Sequence, residues 1–203
     1  MERTKKSILI GLILGDGHIT VKGDLNITHS IKQKEYIEHK AKLIENLLSC
    51  KKLNLYHRVD SKHDEFTLHK THKYFKILRK WIYKNGVKTF SKKILNLLTP
   101  EAIAIWWMDD GSHGIDRNKE TGKIRAHSFH LYTYTNLDET DNIIQMFKEK
   151  FDINFYKIKS TSKTTGIVSY YLKCRTKEGR KLSNLIRPYI IPSLQYKILQ
   201  ENE

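Results

Sequence analysis

The same sequence pattern occurs twice: a strongly apolar segment runs without interruption into a carboxylate and a glycine. Ile8-Leu9-Ile10-Gly11-Leu12-Ile13-Leu14 leads into Gly15-Asp16-Gly17, and Ala102-Ile103-Ala104-Ile105-Trp106-Trp107-Met108 leads into Asp109-Asp110-Gly111, 94 residues later. Each segment reads as a buried helix, since no polar stripe breaks it. Thr99-Pro100-Glu101 supplies a start for the second, with Thr as N-cap and Pro at the first helical position, and Gly17 and Gly111 supply stops. The 203 residues divide accordingly into halves of ordinary small-domain size, 1–98 and 99–203.

After each apolar helix the period changes. His18 to Lys22 and Leu25 to Thr28, joined by a turn at Lys22-Gly23-Asp24, read as a hairpin. Gln33 to Leu48 carries Ile37, Ala41, Ile44 and Leu48 on one stripe, an amphipathic helix. Leu53–Val59 and Glu65–Lys70 form a second hairpin, and Tyr74–Tyr83 another helix. In the second half strands are expected at 126–135, 153–159 and 167–175, with helices at 138–151 and from Lys177 to Ile186. Each unit is then helix, two strands, helix, two strands, helix. That order favours an α+β fold with antiparallel sheets over a doubly wound one.

A carboxylate at the C-terminal end of a helix is disfavoured by roughly 0.3–1 kcal/mol, because the unpaired carbonyls there already carry negative partial charge. Asp109 beside Asp110 adds to the repulsion. An Asp-Gly pair alone is an ordinary turn signal. Two pairs, each ending an apolar helix and each followed by hairpins, point instead to a hard divalent cation held by Asp16, Asp110 and the freed carbonyls. Asp109 stands as the alternative second ligand.

The charge is consistent with a polyanionic partner. Lys and Arg outnumber Asp and Glu by 37 to 22, a net +15, with +12 of it in residues 1–99. Each phosphate neutralised releases counterions and adds to affinity, although a generally Lys-rich proteome would give the same composition. The outward positions of the expected strands carry Thr20, Lys22, Asn26, Thr28, Arg58, Thr67 and His69 in the first half. In the second they carry His130, Tyr132, Tyr134, Lys157, Lys159, Lys173 and Arg175. This mixture suits a β-ribbon reading base edges in a major groove. The pairs His69-x-x-His72 and His127-x-x-His130 lack a matching cysteine or carboxylate cluster and are read as surface or phosphate-contacting residues. Cys50 and Cys174 are expected as buried free thiols, which implies an intracellular, reducing compartment. The apolar run before Asp16 is too short for a membrane span.

Leu9 to Gly17 resembles the LAGLIDADG motif of homing endonucleases, and Ile103 to Gly111 a divergent second copy. The resemblance covers nearly the whole chain. It extends to Leu98-Thr99-Pro100 before the second motif and to Ile191-Pro192-Ser193-Leu194-Gln195-Tyr196-Lys197 near the end, as in single-chain enzymes encoded by mitochondrial introns. It implies a monomer in which the motif helices form the central interface between two pseudo-twofold units and the sheets form a saddle on double-stranded DNA. It further implies two or three Mg²⁺ ions (Mn²⁺ substituting) bound by Asp16 and Asp110, with Gly15 and Asp109 contributing, and a lysine near each active site, at Lys88 and Lys197. A double-strand break with short 3′ overhangs at a long pseudo-palindromic site is the implied reaction, in an organelle or in a prokaryotic or phage host. An RNA maturase or a non-cleaving regulator of the same fold is the alternative. The second helix departs from the pattern, with Ile105 and Asp109 where the first has Gly11 and Gly15, and Ala102 and Ala104 as the nearest small residues.

Overall fold

Two apolar helices lie side by side at the centre of the computed structural model, which describes residues 2–200. Helix α1 (Arg3–Leu14) buries every residue from Ser7 to Leu14, and α5 (Pro100–Asp110) every residue from Ala102 to Met108. Their N-terminal ends are tied by a reciprocal pair of bonds. The Thr99 amide donates to Ser7 Oγ at 2.8 Å, and Ser7 Oγ donates to Thr99 Oγ1 at 3.1 Å. Thr99 also caps α5 by accepting from the Ala102 amide, as its position before Pro100 suggested. The helices meet most closely at Gly11. A Cβ there would lie 2.5 Å from the Ala102 carbonyl oxygen and 3.0 Å from its Cα. Ala102, not Ile105, is therefore the small residue that admits the close approach.

Each half then builds one four-stranded antiparallel sheet with helices on a single face. In the first half β1 (His18–Ile19), β2 (Asp24–Ser30), β3 (Leu55–Val59) and β4 (Asp64–Thr71) lie in the order β1-β2-β4-β3, covered by α2 (Lys34–Leu48) and α3 (Lys73–Ile82). In the second, β7 (Gly111–Arg117), β8 (Ile124–Thr135), β9 (Tyr156–Thr161) and β10 (Val168–Arg175) lie in the order β7-β8-β10-β9, covered by α6 (Leu137–Phe151) and α7 (Thr176–Ile186). Inward residues Leu25, Ile27 and Leu68 of the first sheet, and Phe129, Leu131, Leu172 and Cys174 of the second, belong to one continuous core that passes through α1 and α5. The equivalence of the halves is close. Helices α2 and α6 each have 15 residues and each ends on a left-handed residue, Ser49 (φ 49°) and Asp152 (φ 53°).

Several local expectations change. The first strand is only two residues long, and the turn spans 20–23, with Gly23 at φ 91°. Strand β7 was not expected, because Ser112-His113-Gly114 shows no apolar alternation; it is held by a backbone ladder to β8. A tight hairpin also follows α3, joining β5 (Tyr83–Lys84) to β6 (Val87–Lys88). Asn85 (φ 51°) and Gly86 (φ 80°) take the two positive-φ positions that such two-residue turns need. A short helix, α4 (Lys92–Leu95), leads from it towards α5. Cys174 is buried as expected, whereas Cys50 is only half-buried, lying just past the end of α2; both are free thiols. No described helix is long and apolar enough to cross a membrane.

Candidate active site

The paired helices deliver their acidic ends to one place. Asp110 is the last residue of α5, whereas α1 ends at Leu14 and Asp16 lies beyond it. The Gly17 amide folds back onto the Leu12 carbonyl at 2.9 Å, and a Cβ at Gly17 would lie 2.4 Å from that oxygen. Glycine is required for this fold-back, which fixes where Asp16 sits. Gly111 has the same constraint against the Trp107 ring, 2.3 Å from its would-be Cβ.

Two lysines cap these ends. Lys88, placed by the β5–β6 hairpin, donates from Nζ to the Gly15 carbonyl at 2.6 Å. Lys197, in the 3₁₀ turn Pro192–Lys197, donates to the Met108 carbonyl at 2.5 Å and the Asp109 carbonyl at 3.1 Å. The Trp107 indole donates to the Lys197 carbonyl at 2.9 Å and fixes that backbone. Each ammonium faces the carbonyl end of a motif helix, where the helix dipole favours a cation. The expected pairing of one lysine with each motif is therefore present as geometry.

The carboxylates are poorly placed to ionise alone. Burial, then repulsion from Asp109 and Asp16, raises Asp110 to about 7, although the Trp106 indole donates to its Oδ2 at 3.1 Å and opposes the shift. Burial and then Asp109 raise Asp16 also, even though its side chain remains 43% exposed. Burial lowers Lys88 and Lys197, and the surrounding carboxylates hold them up. One half-buried and one more exposed carboxylate, with helix-end carbonyls beside them, form a donor set of hard oxygens that fits a divalent cation such as Mg²⁺.

Asp109 differs from its neighbour. Its side chain is fully buried, and both oxygens are engaged within the protein. Oδ1 meets Lys40 Nζ at 2.6 Å, and Oδ2 accepts from the Asp16 amide at 2.9 Å. Lys40 Nζ also lies 2.9 Å from His29 Nε2, while His29 Nδ1 lies 3.0 Å from Gln33 Oε1. Burial and then the Lys40 charge push His29 down to about 4, so the ring is neutral and accepts from Lys40. Potential ligand atoms of Asp16, His29 and Asp109 lie within 4.8 Å of one another, but the Asp109 oxygens already have partners. Neither Lys40 nor His29 was picked out from the sequence. Lys40 could have been, since it lies on the apolar stripe of α2 between Ile37 and Ile44.

A cleft of about 600 Å³ opens beside Asp110, lined by Gly15, Lys88, Tyr132, Tyr134 and Asn136 among others. The sheets continue from it as two polar faces. On the first, Asn26 stands opposite His69, Thr28 opposite Thr67, and Asp24 opposite Thr71. Arg58 shares this face but its guanidinium is paired with Asp60 at 2.8 Å and with Glu65. Thr20 and Lys22 lie in the turn instead of in a strand, and the Thr20 hydroxyl is engaged with Asp24 at 3.0 Å. On the second, Lys173 stands opposite His130, and Arg175 opposite Ser128. A cluster of Tyr132, Tyr134 and Tyr171 adjoins His130, whose Nε2 is buried without a hydrogen-bond partner among the described residues. Tyr134 sits at φ 47° where the β8–β10 register shifts, a bulge that turns its ring outward.

Lys157 and Lys159 must be reassigned. Lys157 pairs with Leu172 and Lys159 with Tyr170, so both point to the helix-covered side of β9, and Lys157 meets Asp141 of α6 at 2.7 Å. Tyr156, Ile158 and Ser160 take the polar face instead. The histidine pairs form no metal cluster: His72 caps α3, His127 Nδ1 lies 2.8 Å from His113 Nε2, and His69 and His130 face outward.

This architecture has relatives. The chain is 29% identical over 207 residues to the probable intron-encoded endonuclease 1 of Wickerhamomyces canadensis, an alignment covering 98% of this chain and 85% of that protein. It is 26% identical over 217 residues to the cytochrome b mRNA maturase bI2 of Saccharomyces cerevisiae, covering 95% of this chain but 46% of the maturase, so it spans about half that relative's length. The homing endonuclease I-WcaI, solved bound to its DNA recognition sequence, has the same fold with a TM-score of 0.74 at 25% identity, over 98% of this chain and 87% of that one. The LAGLIDADG DNA endonuclease family matches residues 6–182, which include both motifs and both sheets. The chain belongs to the LAGLIDADG DNA endonuclease family.

Proposed function

We propose that the protein binds a long, pseudo-palindromic DNA duplex on its two sheet faces and hydrolyses one phosphodiester in each strand. One observation carries the reading: Asp16 and Asp110, both held back from ionising, stand at adjoining helix ends whose carbonyls are capped by Lys88 and Lys197. A structural role offers no reason to desolvate carboxylates at the negative end of a helix. Bound Mg²⁺ would polarise the scissile phosphate and lower the pKa of the attacking water. Asp16 and Asp110 would hold the ions. Lys88 and Lys197 place positive charge where charge develops on the phosphate. Asn26, Thr28, Thr67 and His69 on one face, and His130, Tyr132, Lys173 and Arg175 on the other, would meet the grooves. Both motifs lie in one chain, so a monomer suffices, and its halves can meet different half-sites.

The motif resemblance further implies a staggered cut with short 3′ overhangs, and the likeness to an intron-encoded endonuclease suits a gene carried by an organellar intron or a comparable mobile element in an intracellular setting. A second reading, assistance of RNA splicing, is favoured by the likeness to the yeast cytochrome b mRNA maturase. Cleavage separates the two. A randomised duplex library incubated with Mg²⁺ should yield one enriched site, cut on both strands. Asp16→Asn and Asp110→Asn should each abolish cutting of that site while retaining its binding. Absence of any cut duplex, with tight binding of intron RNA, would favour the maturase.

A further inference from the structure

The two halves do not hold their acidic residues in the same way. Asp110 is inside α5, so the helix itself sets its backbone. Asp16 is past the end of α1, and the Leu12 carbonyl that a continued helix would offer its amide is taken by Gly17. The Asp16 amide donates instead to Asp109 Oδ2 at 2.9 Å, across the helix interface. Asp109 is the counterpart of Gly15, 94 residues on. The counterpart of Lys40, seventh in α2, is the seventh residue of α6, Ile143, also buried. The contact between α2 of the first half and α5 of the second thus carries a buried acid–base pair, where the counterpart contact between α6 and the end of α1 carries isoleucine and glycine. The two differences cancel in charge, as expected for residues that function together. There is also no room for an alternative, because a Cβ at Gly15 would lie 2.0 Å from Asp109 Oδ2.

We propose that Lys40 and Asp109 form a positioning pair that serves Asp16 alone. Lys40 is an internal cation, 0% exposed, neutralising an Asp109 carboxylate that is likewise 0% exposed. Neutral His29 accepts its second hydrogen bond, and the Tyr36 ring lies beneath the ammonium at 4.3 Å. Held in this way, Asp109 keeps its second oxygen on the Asp16 amide and stays out of the metal set, although it is adjacent to Asp110. The pair touches no reacting atom. The inference rests on the proposed function only in taking Asp16 and Asp110 as the groups that serve cleavage. It predicts that the strand served by Asp16 depends on Lys40 and Asp109, and that the strand served by Asp110 does not.

The test has two arms. The first measures thermal stability in EDTA for Lys40→Ile, Asp109→Gly and the double variant, which copies the counterpart contact of Ile143 and Gly15. Each single variant leaves a buried charge without its partner, so the double variant should melt above Lys40→Ile. Additive effects would overturn the pairing. The second arm follows a supercoiled plasmid bearing the target selected from the library, with each strand end-mapped. The double variant should nick one strand at a wild-type rate and cut the other on the order of tenfold to a hundredfold more slowly, so that nicked circles accumulate. Equal rates on both strands, slowed or not, would overturn the proposal. If Lys40→Ile does not fold, Lys40→Met with Asp109→Asn supplies the stability cycle. Asp16→Asn run in parallel separates the failures: if it cuts normally, the assignment of function fails; if it is inactive while the double variant shows no strand bias, only the positioning role fails.

Discussion

Gly11 is the point at which sequence, packing and site geometry can be tested together. A Cβ there would stand 2.5 Å from the Ala102 carbonyl oxygen and 3.0 Å from its Cα, both backbone atoms that no rotamer change can move. Restoring ordinary contact requires α1 and α5 to separate by about 1 Å in a close-packed interior. Overpacking of this kind costs ~1–3 kcal/mol, and valine, with two further methyls, belongs at or beyond the top of that range. Helix propensity opposes the loss, since alanine gains up to ~1 kcal/mol over glycine within a helix. Gly11→Ala should therefore cost about 0–2 kcal/mol net and Gly11→Val about 3. In a chain of this length each kcal/mol lowers Tm by roughly 2–4 °C, so Gly11→Val should melt about 6–12 °C low in calorimetry. Gly114→Ala is the control, because its nearest neighbour is the rotatable Ser128 hydroxyl at 3.2 Å. Separation of the helices also strains the Asp16 amide bond to Asp109, so cleavage by Gly11→Val should fall even where the protein is fully folded. A Gly11→Val protein that melts and cuts as the wild type does would refute the close-packed interface.

Other outcomes follow from the site and the sheets. Asp110 has a folded pKa of about 7, above its ordinary 3.8, so the metal-free fold keeps a proton that the unfolded chain releases. This stabilisation is complete below about 3.8 and is lost as pH rises through about 7, so Tm in EDTA should fall across that window. Asp110→Asn should flatten the fall, and an unchanged profile would contradict the shift. Lys88→Met and Lys197→Met should slow cleavage by one to three orders of magnitude with little change in DNA affinity, as expected for groups acting on developing charge; losses confined to affinity would place them in binding instead. Lys173→Ala should reduce the salt slope of duplex binding by about one, whereas Lys157→Ala should leave it unchanged, read from titrations at several salt concentrations. Equal effects would mean that the β9 register does not decide which lysines face the duplex.

The motif residues were legible because their chemistry runs against their position: aspartates at the carbonyl ends of apolar helices are hard to explain without a partner. Lys88 and Lys197 came from the family resemblance, and the structure gives them a physical role on the helix-end carbonyls. Lys40 was hidden for the opposite reason. A lysine in a basic, amphipathic helix looks like solvated surface, and only its place on the Ile37–Ile44 stripe betrays its burial, because its partner lies 69 residues away. Strand β9 misled through its alternation. Lys157 and Lys159 looked like residues of the outward face, yet on an edge strand they can lie on the helix side and stay exposed, where Asp141 of α6 pairs with Lys157. Strand β7 has no side-chain signature, since its pairing is dictated by β8.

The asymmetry between the halves therefore has two levels that reinforce each other. At the centre, Gly15 and Ile143 replace Asp109 and Lys40, so the two acidic groups are positioned by different means. On the sheets, the first half presents small hydrogen-bonding side chains such as Asn26, Thr28 and Thr67, while the second presents the rings of Tyr132, Tyr134 and Tyr171 around His130. Small amides and hydroxyls exchange donors and acceptors with base edges, whereas tyrosine rings add bulk and apolar contact. Two such surfaces offer a duplex different contacts. A homodimer would be bound by symmetry to identical surfaces and a palindromic target. Fusing both units in one chain frees the two interlocked contacts to differ, and an acid–base pair at one of them, Lys40 with Asp109, opposite isoleucine and glycine at the other is such a difference.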